Sequence, residues 1–328
     1  MRRRELVGAV IAAPLIASAA AAQPKARRIG FLMTYAEGDQ EANERARAFE
    51  KALAELGWTA GGNLQIDYRW AAGDPARYRK FAEELVALQP DLVIGATTPA
   101  VAALQAASRS VPLVFIMVSD PVGSGLVPNI ARPGGNITGL TNFEPSLGGK
   151  WLEFVRELAP SVQRVGFMLN PDRAPARGVN FIQSFETSAR ILGVTPTTLI
   201  VQTPADIETT MTALVASGPA GLAVMPDAFT QVNRARIISL AARLRLPTVY
   251  PYRFFALEGG LMSYGTDPLD LHRRLAYPVD RLLRGTKAAD LPVQGPIKFE
   301  TVINLRTAKE LGLTLSPTLL ARADDIIE

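Results

Sequence analysis

Hydrophobic positions along the chain predict strands and helices in alternation. The segments RIGFLM (28–33), DLVIGAT (91–97) and PLVFIMV (112–118) are short and mostly apolar, which is typical of strands buried on both faces. Between the strands, apolar residues recur every three or four positions, as at Phe49 and Leu53, which predicts amphipathic helices. Strands and helices that alternate in this way form a parallel sheet with helices on both faces.

The same order of elements occurs twice. The first strand is matched by RVGFML at 164–169, and Leu56-Gly57 is matched by Leu192-Gly193. Further matches relate 92–94 to 222–224 and 112–114 to 247–249. We therefore predict an α/β protein with two Rossmann-like lobes, each a parallel sheet flanked by helices, related by duplication.

Each lobe is predicted to combine two stretches of the chain. The first lobe takes 27–142 plus 267–297, and the second takes 143–266 plus 298–328. The chain would cross between the lobes near 142–146, 263–267 and 295–300. Three connections form a hinge about which the lobes rotate without separating. After the second half we predict a helix over about 267–285 and a terminal helix near 318–327.

The first 22 residues have the features of a secretory signal peptide. Three arginines precede an apolar run at 6–17, and Ala20-Ala21-Ala22 supplies a cleavage pattern before Gln23. The pair Arg3-Arg4 leaves both the general secretory and the twin-arginine route open. A retained anchoring helix is the alternative. We expect a periplasmic protein without stable membrane insertion after cleavage, since no later apolar run is long enough to span a bilayer.

Composition excludes several kinds of site. The 328 residues include no Cys and one His, which excludes disulfides, Cys-ligated zinc, iron–sulfur clusters and His-rich metal sites. The net charge is +4 and the basic residues are scattered, so we expect no nucleic acid partner. We also expect no cofactor and no metal. His272 lies beside Arg273 and Arg274 in a predicted helix, and we expect it to be exposed to solvent.

Polar residues follow the predicted strands. In open parallel sheets, ligands bind beyond the carboxyl ends of the strands. The candidate ligand-binding residues at these ends are Thr34, Tyr35, Thr97, Thr98, Ser119, Asn142, Asn170, Asp227, Tyr250, Tyr252 and Tyr264. The repeat equates Thr34 with Asn170 and Thr97 with Asp227, so these residues would face each other across a cleft between the lobes.

Two of these positions suggest the chemistry of a ligand. Thr97 and Thr98 precede Pro99 at a predicted helix start, which favours a carboxylate but equally fits a capped helix. Asp227 could accept a ligand ammonium or cap the following helix. The tyrosines at 250, 252 and 264 could form an apolar wall, although core packing is an alternative for the first two. Asp120 before Pro121 is interpreted as a turn or cap.

Several blocks resemble a large bacterial family. They are RRIGFLM, IARPGGNITGLTNFE, GGLMSYGTD, LLRGTKAADLPVQGP and the tail FETVINLRTAKELGLTLSPTLLARADDIIE. Together they resemble the ABC-transporter substrate-binding proteins related to the tryptophan-binding protein TrpX. The resemblance implies a type I periplasmic-binding-protein fold that closes on a ligand and delivers it to a membrane permease and ATPase. Unlike lipid-anchored relatives, the chain has no Cys after its signal.

The function that we predict is periplasmic solute binding for an ABC importer. The ligand would be a small carboxylate or amino acid, aromatic or branched, and the partners would be the transmembrane permease subunits. We expect a monomer without enzymatic activity. One alternative is a periplasmic ligand-sensing subunit for a signalling partner, and another is a two-lobed enzyme such as a glycosyltransferase.

Overall fold

The computed structural model describes residues 26–328, so the predicted signal segment at 1–22 lies outside the described residues. The first half of the chain contains β1 (Arg27–Met33), α1 (Gln40–Glu55), β2 (Leu64–Trp70), α2 (Pro75–Ala87), β3 (Leu92–Ala96), α3 (Thr98–Ala107), β4 (Leu113–Val118) and β5 (Ile137–Thr141). These strands form one parallel sheet with the order β2-β1-β3-β4-β5.

The second half builds a separate sheet of seven strands. Its elements are α4 (Leu147–Leu158), β6 (Arg164–Leu169), α5 (Val179–Leu192), β7 (Thr195–Ile200), α6 (Pro204–Ala216), β8 (Ala220–Val224), α7 (Ala228–Val232), α8 (Arg234–Arg243), β9 (Thr248–Tyr250), α9 (Arg253–Leu257) and β10 (Met262–Thr266). The chain ends with α10 (Pro268–Leu283), β11 (Phe299–Asn304), α11 (Leu305–Glu310), α12 (Pro317–Ala321) and β12 (Asp325–Ile327).

The two sheets share one topology, as the repeat predicts. The second sheet has the order β12-β11-β10-β9-β8-β6-β7, so its part from β7 to β10 repeats the order of the first sheet. The pair β10–β11 is antiparallel, and β12 runs parallel to β11. The predicted α/β fold of two parallel sheets flanked by helices is confirmed.

Strand register corrects one detail of the repeat. Ile29 on β1 lies beside Leu92, whereas Val165 at the equivalent position on β6 lies beside Gly221. The matched leucines at 92 and 222 are therefore one position out of register. By register the equivalent of Asp227 is Thr98, not Thr97, although Thr97 and Asp227 both occupy the N-cap position of the following helix.

Local sequence explains where three of the longer helices begin. Asp39, Asp74 and Asp267 occupy the N-cap positions of α1, α2 and α10, and each side chain accepts a hydrogen bond from a backbone N–H of the first turn. Pro75 and Pro268 follow in the first turn, where the missing N–H costs no helical hydrogen bond.

Helix α10 returns the chain to the first sheet. It packs along α1 and contacts β4 and β5. The segment after it pairs with the edge of that sheet, since Thr141 donates its backbone N–H to the Gln294 carbonyl at 2.9 Å. The chain then enters the second sheet as β11. Among residues 26–328, no helix is both long and apolar enough to cross a membrane.

Two expectations from the sequence are wrong. The terminal helix stops at Ala321, and β12 follows because backbone pairing with β11 is available, as in the bond of 2.8 Å from Asp324 N–H to the Thr301 carbonyl. His272 is 1% exposed rather than solvated. It lies on the buried face of α10 that also carries Leu275 and Val279.

Candidate functional site

Three hydroxyl groups meet at the ends of β1 and β3. The Thr34 hydroxyl donates to the Ala96 carbonyl at 2.7 Å, and it lies 2.6 Å from the Thr97 hydroxyl. The Tyr78 hydroxyl, from the first turn of α2, lies close enough to Thr34 and Thr97 that both act to lower its pKa, but it forms no well-aligned hydrogen bond with either. Burial raises the pKa of Tyr78 to about 12. The site therefore holds a buried hydroxyl that is free to donate to a ligand.

The start of α3 leaves its amides available. Thr97 occupies the N-cap position with a φ of 77°, and its side chain makes no capping bond. Thr97 thus occupies the N-cap position predicted from the sequence, but its hydroxyl is turned to Thr34 and does not cap a first-turn amide. First-turn N–H groups that lack a cap, together with the positive end of the helix dipole, suit an anion. Thr98 is half-buried at this point.

Asp227 is a buried carboxylate at the end of β8. It is 1% exposed, and its oxygens accept one hydrogen bond from Thr230 N–H and one from Asn170 N–H, both at 2.8 Å. Asp227 thus caps α7, which is one of the two roles predicted from the sequence. Among residues 26–328, no Arg, Lys or His forms an ion pair with Asp227. Burial raises the pKa of Asp227 to about 7, although the backbone donors oppose this rise.

A chain of hydrogen bonds joins the lobes at the first crossing. Ser119 donates to the Asn142 side-chain oxygen at 2.9 Å, and the Asn142 amide donates to the Tyr252 hydroxyl at 2.7 Å. All three residues are buried. Tyr252 also lies near the charges of Arg45 and Asp227, and burial raises its pKa above the usual range. Asn142 comes directly after β5, where the chain leaves the first sheet.

Aromatic and cationic side chains close one side of the cleft. The Tyr35 hydroxyl donates to Gln231 Oε1 at 2.6 Å. The buried Arg45 guanidinium lies 5.0 Å from the Tyr35 ring and 5.3 Å from the Phe254 ring. Arg234 contacts the same two rings from the second lobe. Two rings and two guanidinium groups thus stack across the boundary between the lobes.

Ionic and polar contacts hold the lobes together on both sides. Arg234 forms an ion pair of 3.0 Å with Asp39 near the aromatic group. On the other side, the Asn180 amide donates to Asp120 Oδ2 at 2.6 Å, while Asp120 Oδ1 accepts from Gly123 N–H at 2.8 Å. Asp120 therefore forms the turn interpreted from the sequence and also contacts the second lobe. The cleft is closed in this structure.

Two of the predicted tyrosines do not join the cluster. Tyr250 stacks on Phe255 with ring centroids 5.0 Å apart, inside the core of the second lobe. Tyr264 packs between Phe154 and Phe299 on the same lobe. Core packing describes both, so the prediction of an apolar wall from Tyr250 and Tyr264 is corrected. The aromatic rings at the cleft are those of Tyr35, Tyr252 and Phe254.

Three residues of this cluster were missed in the sequence. Arg45 lies in the apolar stripe of α1 four positions before Phe49, and an arginine in such a stripe is itself a signal. Tyr78 begins the buried stripe of α2 near the strand ends. Gln231 is buried in a short helix that carries no recognisable pattern, so no signal identifies it.

Comparison with known proteins supports a common ancestry over most of the chain. The tyrosine-binding protein of Clostridioides difficile (strain R20291) is 26% identical over 272 residues, which cover 81% of this chain and 76% of the relative. The ABC domain from Streptococcus pneumonia in complex with L-Trp matches with a TM-score of 0.84 and 26% identity, over 92% of this chain and 100% of that chain.

A conserved domain protein from Vibrio cholerae o1 biovar eltor matches with a TM-score of 0.85 and 27% identity, again over 92% of this chain and 100% of that chain. The family model described as ABC transporter substrate binding protein matches residues 34–327. The resemblance noted in the sequence is thereby confirmed, and the chain belongs to the family of ABC transporter substrate-binding proteins.

Proposed function

We propose that this protein binds an α-amino acid with a large apolar side chain between its lobes and supplies it to an ABC importer. The observation that carries the proposal is Asp227, a buried carboxylate that forms no ion pair within the described residues. An ionised carboxylate is costly to bury without a cation. A ligand ammonium would offset that cost in the closed state.

The hydrogen bonds of Asp227 leave its carboxylate able to accept further donors. One of its oxygens accepts a hydrogen bond from the backbone N–H of Thr230, and the other accepts one from the backbone N–H of Asn170. A carboxylate oxygen has a second lone pair, so the group can accept further donors from a ligand. Charge-assisted hydrogen bonds of this kind are about twice as strong as neutral ones.

The first lobe would hold the ligand carboxylate. The free Tyr78 hydroxyl and the uncapped start of α3 at Thr98 both supply donors. The carboxylate site and Asp227 lie at the strand ends of opposite lobes, which suits the two charged ends of a zwitterion. We retain Thr34, Thr97, Ser119, Asn142 and Asn170 as residues that order this site.

The ligand side chain would contact the aromatic group of Tyr35, Tyr252 and Phe254. Stacking and edge contacts with these rings favour an aromatic side chain, and a branched aliphatic one would fit less well. The similarity to a tyrosine-binding protein and to a domain in complex with L-Trp supports this class of ligand. Since the family is one of substrate-binding proteins, we propose that the ligand leaves unmodified.

Calorimetric titration tests the proposal. The purified protein, freed of bound solute, would be titrated with L-tryptophan, L-tyrosine, L-phenylalanine and L-leucine. Tryptamine lacks the carboxylate and indole-3-propionate lacks the amine, so these two compounds test the two ends separately. We expect binding of at least one aromatic amino acid and at least about ten-fold weaker binding of both truncated compounds. Tight binding of indole-3-propionate would exclude the ammonium contact.

The proposed role in import and the proposed periplasmic location are tested in cells. We propose a monomer in the periplasm that begins at Gln23, with lobes of 27–142 plus 267–297 and 143–266 plus 298–328, and permease subunits as partners. The intact mass of protein from a periplasmic extract tests the cleavage site. Loss of labelled amino-acid uptake on deletion of the gene supports the importer. Normal uptake with loss of a transcriptional response would favour a sensing subunit.

A further inference from the structure

The duplication gives each lobe an arginine at the start of its first strand, and in the first lobe that arginine is neutralised. The Arg28 guanidinium donates to Asp67 from Nε at 2.7 Å and from Nη2 at 3.2 Å. The backbone N–H of Arg28 donates to Asp91 Oδ2 at 2.7 Å. Two carboxylates therefore face this end of β1, and the hydrogen bond to Asp67 holds the pKa of Arg28 above its usual value.

In the second lobe the arginine remains but both carboxylates are absent. Register places Asp67 beside Gly30 and Thr197 beside Gly166, so Thr197 stands where the first lobe has Asp67. By the same register Ala220 stands where the first lobe has Asp91. The Arg164 side chain reaches Thr197 Oγ1 at 3.5 Å, and its buried Nε has no hydrogen-bond partner. Within residues 26–328 it forms no ion pair.

A cavity of about 210 Å³ lies beside this arginine, between β7 and α6. Its floor is apolar and includes Leu199 and Leu214. The Thr210 and Ser217 hydroxyls at its edge donate to carbonyls of their own helix, at 2.7 Å and 2.9 Å. The donors left for a ligand are Arg164, Thr197 and Thr198. One end of the cavity is therefore cationic and the rest is hydrophobic.

We propose that this cavity binds a small carboxylate with a short aliphatic chain. The carboxylate would take the place that Asp67 occupies against Arg28, and the chain would lie over Leu199 and Leu214. Arg164 begins β6, whereas the cleft lies at the carboxyl ends of the strands. The occupant therefore sits at the opposite edge of the second lobe and does not compete with the ligand in the cleft.

Nuclear magnetic resonance tests the proposal with butyrate as the probe. The Arg164 Nε–Hε signal of the labelled protein would be followed during titration with butyrate, acetate and 1-butanol. We expect a saturable shift with butyrate and weaker binding of the other two compounds, because acetate lacks the chain and butanol lacks the charge. The absence of a shift with butyrate at millimolar concentration would overturn the proposal, as would equal affinity for all three compounds.

Substitution at Thr197 gives a sharper test. Thr197→Asp recreates the first-lobe ion pair and should weaken butyrate binding at least about ten-fold. Arg164→Gln should do the same by removing the cation. Thr212→Asp is the matched control, since it adds the same charge at an exposed position of α6 outside the cavity. Equal loss of binding in Thr212→Asp, or unchanged binding in Thr197→Asp, would contradict the assigned site. Thermal unfolding of each variant verifies that it is folded.

Discussion

The Tyr35 hydroxyl donates a hydrogen bond of 2.6 Å to Gln231 Oε1 and thereby joins the end of β1 to α7 across the cleft. Gln231 belongs to the same short helix that Asp227 caps, and its amide donates to the Asp227 carbonyl at 3.3 Å. The helix that would bind the ligand ammonium is thus also the helix that contacts the first lobe. Ligand binding and lobe closure are expected to be coupled through it.

Closure should depend on the ion pair between Asp39 and Arg234. Asp39→Asn keeps the N-cap of α1 but removes the charge that pairs with Arg234 across the cleft. We expect ligand affinity to fall about three- to ten-fold. Small-angle scattering should show a radius of gyration that decreases with ligand in the wild type.

The matched control for this variant is Asp74→Asn. It makes the same change at the N-cap of α2, where, within residues 26–328, the carboxylate forms no hydrogen bond or ion pair with the second lobe. Affinity should be unchanged there. Equal affinities in both variants, or a radius of gyration that ligand does not alter, would contradict closure through this ion pair.

The charge of Asp227 should matter more than its capping role. Asn caps a helix about as well as Asp, so Asp227→Asn removes the charge and preserves the start of α7. We expect affinity for an amino acid to fall about ten- to a hundred-fold in calorimetry, with the fold intact. Asp206→Asn, at a half-buried first-turn carboxylate of α6, serves as the control. An unchanged affinity in folded Asp227→Asn would restrict this residue to capping.

Binding should also depend on pH. The pKa of Asp227 is about 7 in the closed structure without a ligand cation, because burial disfavours its charged form. An ammonium needs the ionised carboxylate, so affinity should fall as pH drops below about 7, by up to about ten-fold per pH unit. Calorimetric titrations between about pH 5.5 and about pH 8 should show this fall in affinity in the wild type and not in Asp227→Asn.

The dependence of the free energy of unfolding on pH should show the effect of His272 protonation once the charge of Asp227 is removed. Burial and the nearby Arg45 charge lower the pKa of His272 to about 3, so the unfolded chain binds its proton more readily. This histidine stabilises the fold fully above about pH 6.5, and the stabilisation is lost as pH falls toward about 3. Asp227 has the opposite sign, because its raised pKa favours the folded state at low pH.

The two effects oppose each other between about pH 4 and 6.5. Denaturant unfolding of Asp227→Asn should therefore show a steeper loss of stability on acidification than unfolding of the wild type does. Adding His272→Gln to that variant should reduce the slope again. An identical slope in all three proteins would show that neither group titrates as its burial implies.

Tyr78 should contribute to ligand affinity through its hydroxyl and not through its ring. Tyr78→Phe keeps the buried ring and removes the one hydroxyl of this group that makes no hydrogen bond. Stability should be unchanged or slightly higher, because an unpartnered buried polar group is removed. Affinity for an amino acid should fall several-fold to about ten-fold, while binding of tryptamine should not change. A loss of stability without a loss of affinity would contradict a ligand contact.

Periodicity predicts much of this site because the topology of parallel strands brings their carboxyl ends together. Thr34, Thr97, Asn142 and Asp227 follow strands that are evident from short apolar runs. Periodicity does not distinguish a helix face that covers a sheet from one that reaches the cleft, so Tyr78 and Arg45 are not found in this way. Nor does it separate Tyr250 from Tyr252, which differ in whether the strand has already ended.

The return of α10 to the first sheet also constrains how the protein is made. The helix that covers α1 and contacts β4 and β5 is synthesised only after all strands from β6 to β10. The ribosome makes the chain from its amino terminus onward. The first lobe therefore exposes apolar surface until the residues up to about 283 have been synthesised. The second sheet takes β11 and β12 from after α10, so it too is incomplete until the end of the chain has been made. The nascent chain should consequently stay unfolded long enough to depend on chaperones, and truncation before α10 should release an aggregation-prone product.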